Sequence, residues 1–123
     1  MTIYPAIDLR NGKCVRLFQG KADAETVYFE SPLNPALNWK EQGAEFLHVV
    51  DLDGAFTGGS QNLDAVEQIV RSSGLQVQLG GGMRDEATIS NALELGLHRV
   101  IIGTRACNEP EWIESLISKF GSD

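Results

Sequence analysis

The chain has 123 residues, with ten Lys and Arg against seventeen Asp and Glu and a formal net charge of −7. That suits a single domain over residues 1–123 and argues against nucleic acid or an anionic membrane surface as partner. The 42% hydrophobic and 22% charged content is that of an ordinary globular protein, which sets disorder aside.

No apolar run approaches the roughly 18 residues of a membrane helix. The opening Met1-Thr2-Ile3-Tyr4-Pro5 lacks a basic signal-peptide segment. Cys14 and Cys107 stand far apart, with neither CxxC spacing nor a His cluster, so no disulfide, zinc or other metal is expected, and the compartment expected is the cytoplasm.

In chain order, residues 3–9 form the first apolar run, and residues 14–18 extend it after the turn at Asn11-Gly12. Residues 32–42 are predicted helical, with Ala36, Leu37 and Trp39 on the apolar face and Gly43 as the stop. Residues 46–50 form a strand ending at Asp51. Residues 62–72 are helical by period, since Leu63, Val66, Ile69 and Val70 share a face and Gly74 follows. Residues 76–79 form a third strand leading into Gly80-Gly81-Gly82. Asp85 is a predicted N-cap for a helix to Leu95, with Ile89, Ala92 and Leu93 inward. Residues 99–102 form the fourth strand, and residues 109–120 the last helix, with Pro110 in its first turn.

Four strand-then-helix units in series imply a parallel sheet, because each helix carries the chain back to begin the next strand in the same direction. Near-continuous apolar strands suggest a sheet covered on both faces. Either an open doubly wound sheet or half of a (β/α)8 barrel satisfies this, a whole barrel taking about 250 residues. Both place chemistry at the carboxyl ends of strands. That singles out Asp8, Asp51 with Asp53, Gly80-Gly81-Gly82 with Arg84, and Gly103-Thr104.

Each has a plainer alternative. Asp8 is either a general acid or base on a rigid strand or a cap for the turn at Asn11-Gly12. Gly80, Gly81 and Gly82 either bare three successive amides to an oxyanion, with Arg84 adding charge, or serve a positive-φ turn. Gly103-Thr104 repeats the arrangement beside them, and two such sites on adjacent strands could share one phosphate. His48, three residues before Asp51, falls on the opposite strand face, so the two do not form a metal pair; a hydrogen-bonded filler is its simpler role. Trp39 and Trp112 are expected in the core, and Cys14 and Cys107 as inert packing thiols.

Taken together, Pro5-Ala6-Ile7-Asp8-Leu9, residues 12–17, Gln19-Gly20, residues 48–55, Gly80-Gly81-Gly82-Met83-Arg84 and residues 100–104 closely resemble the ProFAR isomerase family of histidine biosynthesis. The sister cyclases share the barrel but carry Cys-Leu-Asp where this chain has Ala6-Ile7-Asp8. The resemblance implies the N-terminal parallel (βα)4 half of a (β/α)8 barrel, and an Amadori rearrangement of an aminoaldose to an aminoketose without a cofactor. It implies Asp8 as the base, and Arg16, Gln19 and Gly20 in a substrate-covering loop. His48 would touch substrate, and Gly81, Gly82, Arg84, Gly103 and Thr104 would hold one phosphate. Asp51, from the matching strand end, is counted among the substrate-binding residues.

The family's acid Asp and second phosphate site lie on strands five to eight, which have no counterpart here. Open first and fourth edges would then drive self-association, a dimer first, or pairing with a complementary C-terminal half. The small-molecule partner would be a phosphoribosyl substrate or inorganic phosphate. The competing expectation is a non-catalytic phosphate-binding half-barrel, a fragment or an engineered scaffold.

Overall fold

Asn11 and Gly12 both take positive φ, 51° and 73°, the backbone of a two-residue hairpin turn. The turn folds β2 (Lys13–Leu17) antiparallel onto β1 (Ala6–Arg10), with Asp8 opposite Val15 and Leu9 opposite Cys14. β3 (Glu25–Phe29) pairs antiparallel with β2. The chain then alternates through α1 (Leu33–Glu41), β4 (Phe46–Asp51), α2 (Leu52–Thr57), α3 (Leu63–Ser73), β5 (Gln76–Gly80), α4 (Glu86–Glu94), β6 (Arg99–Ile101), α5 (Thr104–Asn108) and α6 (Pro110–Phe120). This computed structural model describes residues 1–17, 21–29, 31–58 and 61–122.

The sheet order is β3-β2-β1-β4-β5-β6, with β1, β4, β5 and β6 mutually parallel. Four parallel strands with their return helices form the (βα)4 unit expected from the sequence, and they are consistent with half of a (β/α)8 barrel. The hairpin is a correction to that expectation. After the expected turn at Asn11-Gly12, residues 13–17 fold back onto the first run, so the β1 edge expected to be open is occupied along Asp8–Arg10. No described strand pairs with the outer edge of β6.

Side chains alternate along the parallel strands. Ile7, Leu9, Leu47, Val49, Val77 and Leu79 are buried, and they join Ala36 of α1, Val66 and Ile69 of α3, Ile89 and Ala92 of α4 and Leu116 of α6 in one core. Every helix in that list packs on the same sheet face. A doubly wound sheet would carry helices on both, so that alternative falls, and with it the expectation of a sheet covered on both sides. Trp39 and Trp112 pack partly buried against this core. Cys14 is buried as expected, whereas Cys107 on α5 is exposed and is not a packing thiol.

Local chemistry sets the element ends. Asp85 accepts a hydrogen bond from Thr88 N at 2.8 Å and caps α4. Gly74 ends α3 with φ 70°. Among the described residues no helix is long and apolar enough to cross a membrane.

Leu47 is fully buried at the centre of the core. Leu47→Ala is expected to cost about 3 kcal/mol of stability, read as a lower urea midpoint with an unchanged slope.

Candidate functional site

The strand registers set out the side chains of the open sheet face in rows. Ala6, His48, Gln78 and Arg99 are successive partners across the four parallel strands. One step nearer the carboxyl ends, Asp8, Val50, Gly80 and Ile101 form the next row. Asp8 and His48 therefore share a face and sit on adjacent strands. His48 Nδ1 lies 3.0 Å from Gln78 Nε2; the Gln78 amide donates, which leaves the proton of a neutral His48 on Nε2. Arg99 reaches from the same row to Tyr4 Oη at 3.3 Å.

Asp8 is half-buried, and burial pushes its carboxyl above the ordinary value of 3.8. The charges of His48 and Arg16 act in the opposite direction without overcoming it. Burial, then the Asp8 charge, likewise pushes the Cys14 thiol up. Arg16 is exposed on β2. Gln19 and Gly20, expected in the same loop, lie outside the described residues.

Asp51 does not join this face. It points to the helix side and is fully buried. Its Oδ1 accepts from Gly54 N at 2.9 Å and Asn62 Nδ2 at 2.7 Å, and its Oδ2 from Gln61 N at 2.6 Å and Asn62 N at 3.0 Å. Burial alone would raise its pKa, but the hydrogen bonds from Gly54, Asn62 and Gln61 outweigh it and hold the carboxyl below the ordinary range. The expectation that Asp51 binds substrate is corrected: its acceptors are occupied in tying the loops that follow β4. Its contribution to stability is present above 3.8 and is lost as pH falls through the lower folded value.

Gly81, Gly82, Arg84, Gly103 and Thr104 do converge. They line a cavity of about 530 Å³ at the carboxyl ends of β5 and β6, together with Val50, Ile101 and Arg105. Gly81 has φ 101°, and a Cβ there would lie 2.2 Å from the Asp51 carbonyl oxygen; only glycine lets β5 leave the sheet so close to β4. Gly82 follows with φ 77°. A Cβ at Gly103 would meet nothing within 4 Å, so its backbone stays open to a ligand.

Arg84 is exposed and donates from Nη2 to the Ala55 carbonyl at 2.8 Å, bracing the glycine turn against α2. Arg105 donates to the Arg84 carbonyl, pairs with Glu109 at 3.0 Å and lies 3.8 Å over the Trp112 ring. Sequence reasoning passed over Arg105, although a cation two residues after Gly103 was the available signal. Two guanidiniums and several unhindered amides suit an oxyanion. Among the described residues no three His, Cys, Asp or Glu side chains gather to hold a metal.

Because Val50 and Ile101 belong to the Asp8 row and also wall the cavity, the carboxylate and the cradle open on the same side of the sheet. Gly81→Ala is expected to lose at least about 3 kcal/mol by clash and strain, measured by urea unfolding. Asp8→Asn should instead stabilise the fold at neutral pH, because ionised Asp8 is held where burial disfavours charge. Its raised pKa makes the native Asp8 contribution full below 3.8 and lost as pH rises through the folded value. The gain from Asn therefore vanishes in acid, as paired melts at neutral and acid pH would register.

Comparison with known proteins adds three findings. The family described as histidine biosynthesis protein matches residues 2–123. A 1-(5-phosphoribosyl)-5-((5-phosphoribosylamino)methylideneamino) imidazole-4-carboxamide isomerase of Syntrophomonas wolfei is 52% identical over 123 residues, 100% of this chain and 50% of the relative. The isomerase of the same name from Desulforudis audaxviator is 53% identical over 121 residues, 98% of this chain and 46% of the relative. The chain thus spans about half the length of the curated relatives it matches.

Proposed function

This chain belongs to the histidine biosynthesis protein family, and from that premise we propose that it is the N-terminal half of an aminoaldose–ketose isomerase. It works in the cytoplasm as one domain, and its substrate carries a phosphoribosyl group. The observation that carries this reading is the shared opening of Asp8 and the glycine-lined cavity, joined through Val50. A phosphate bound to Gly81, Gly82, Gly103 and Thr104, with Arg84 at the rim, anchors one end of the substrate. The reacting sugar then lies over the strand ends toward Asp8.

The rearrangement opens the aminoaldose ring to an imine, removes the C2 proton to give an enaminol, and reprotonates to the aminoketose. Asp8 is the base. Burial raises its proton affinity, which strengthens it for that step. His48, held by Gln78, presents an Nε2–H donor to the sugar oxygens, and Arg16 supplies charge from the hairpin. Ring opening needs a proton donor on the other side of the sugar. Among the described positions on the open face of the parallel strands, Asp8 is the one carboxylate. The donor therefore comes from a complementary C-terminal half, or in cruder form from a second copy whose Asp8 faces the first across a dimer.

That same solitary carboxylate favours a second reading, in which the isolated chain binds phosphate without turnover. Both are tested by assaying the chain alone and with a relative's C-terminal half added. Turnover is expected only after mixing, and Asp8→Asn should lower it by about a hundredfold or more while phosphate binding, followed by NMR titration, stays intact. Full rate in that variant removes Asp8 as base. No turnover in any mixture leaves the phosphate-binding reading.

A further inference from the structure

The amide side chain of Asn62 sits at a junction that the proposed chemistry does not use. Asn62 is 6% exposed and immediately precedes α3. Its Oδ1 accepts from Gly12 N at 2.9 Å, and its Nδ2 donates to Asp51 Oδ1 at 2.7 Å and Asp53 Oδ2 at 2.9 Å. A carboxamide has two N–H donors and a carbonyl acceptor, and all are engaged. Asp53 Oδ2 also accepts from Asn11 N at 2.7 Å. Two successive amides of the β1–β2 turn are thus tied, through one carboxamide and one carboxylate, to the end of β4. An aliphatic side chain at 62 would leave a half-buried amide and two carboxylates short of partners. A carboxylate would add a third negative charge.

What the clasp holds is the strand that shields Asp8. β2 leaves the turn directly, and Val15, 3% exposed, is the register partner of Asp8. We propose that Asn62 is a positioning residue that clasps the β1–β2 turn to Asp51 and Asp53, and so keeps β2 seated against Asp8. The proposal rests on the reading of Asp8 as the base, but it concerns geometry and is measured without turnover. The groups that bear on Asp8 are His48 from β4 and Arg16 and Cys14 from β2. Burial outweighs the pull of His48 and Arg16, so unseating β2 should let the Asp8 pKa fall back toward its ordinary value.

The test is a carbon-detected carboxyl titration of the full chain, with amide exchange at Gly12. In Asn62→Ala, the Asp8 pKa is expected to fall, and Gly12 protection to drop by about tenfold or more. The Thr88 amide, capped by Asp85 at the start of α4 and outside the clasp, keeps its protection. Asn62→Asp preserves the volume and the acceptor for Gly12 but loses both donors. There the Gly12 protection factor should be low at neutral pH and recover on acidification, as the added carboxyl takes up a proton. A folded Asn62→Ala with Asp8 and Gly12 unchanged overturns the proposal. Global unfolding of both variants overturns it too, by making Asn62 a residue of general stability. Asp8→Asn with full turnover would remove the base yet leave the clasp standing.

Discussion

Every second side chain of the four parallel strands is committed to the helices, and everything else in the molecule depends on that commitment. Ile7, Leu9, Leu47, Val49, Val77 and Leu79 leave water together, at about 25 cal/mol per Å² of apolar surface. The strands cannot slip by one residue without turning this set outward. The remaining side chains are therefore fixed in register although little packs on them. Asp8, His48, Gln78 and Arg99 owe their alignment to the other side of the sheet.

Two aspartates at strand ends show how completely environment decides the use of a carboxylate. Asp51 takes hydrogen bonds from Gly54, Gln61 and Asn62 and is held ionised in the interior. Asp8 is partly stripped of water, has no comparable set of donors among the described residues, and its affinity for a proton rises. The first arrangement makes a rigid bracket, while the second makes a group that reacts. They are also coupled. The Asp51 bracket includes Asn62, Asn62 holds the Gly12 turn, and the turn begins the strand beside Asp8.

The cradle shows a similar economy. A chain of net charge −7 still gathers Arg84 and Arg105 beside a glycine turn. Both guanidiniums are oriented by carbonyls before any ligand arrives. Local field, not net charge, decides what an anion meets there. The close passage of Gly81 over the Asp51 carbonyl joins this cradle to the bracket, so the two halves of the candidate site share one backbone junction.

By itself the sequence determined the parallel strands, the four main helices and the convergence of Gly81, Gly82, Arg84, Gly103 and Thr104. Each of these follows from short-range signals: period, glycine stops, the Asp85 cap, and the rule that strands of one direction end on one side. It also put His48 and Asp51 on opposite faces, because a strand alternates. Tertiary structure alone decided the rest. The turn at Asn11-Gly12 was legible, but only the strand pairing shows that its second arm folds back and occupies the β1 edge expected to be open. β3 and the short helices α2 and α5 are held by neighbours rather than by their own pattern. Asp51 looked like a site residue because it ends a strand, and only the positions of residues 54, 61 and 62 show its acceptors already taken. Asn62 was invisible for the converse reason. Its partner Gly12 lies 50 residues away, and no local pattern records a hydrogen bond made at that distance.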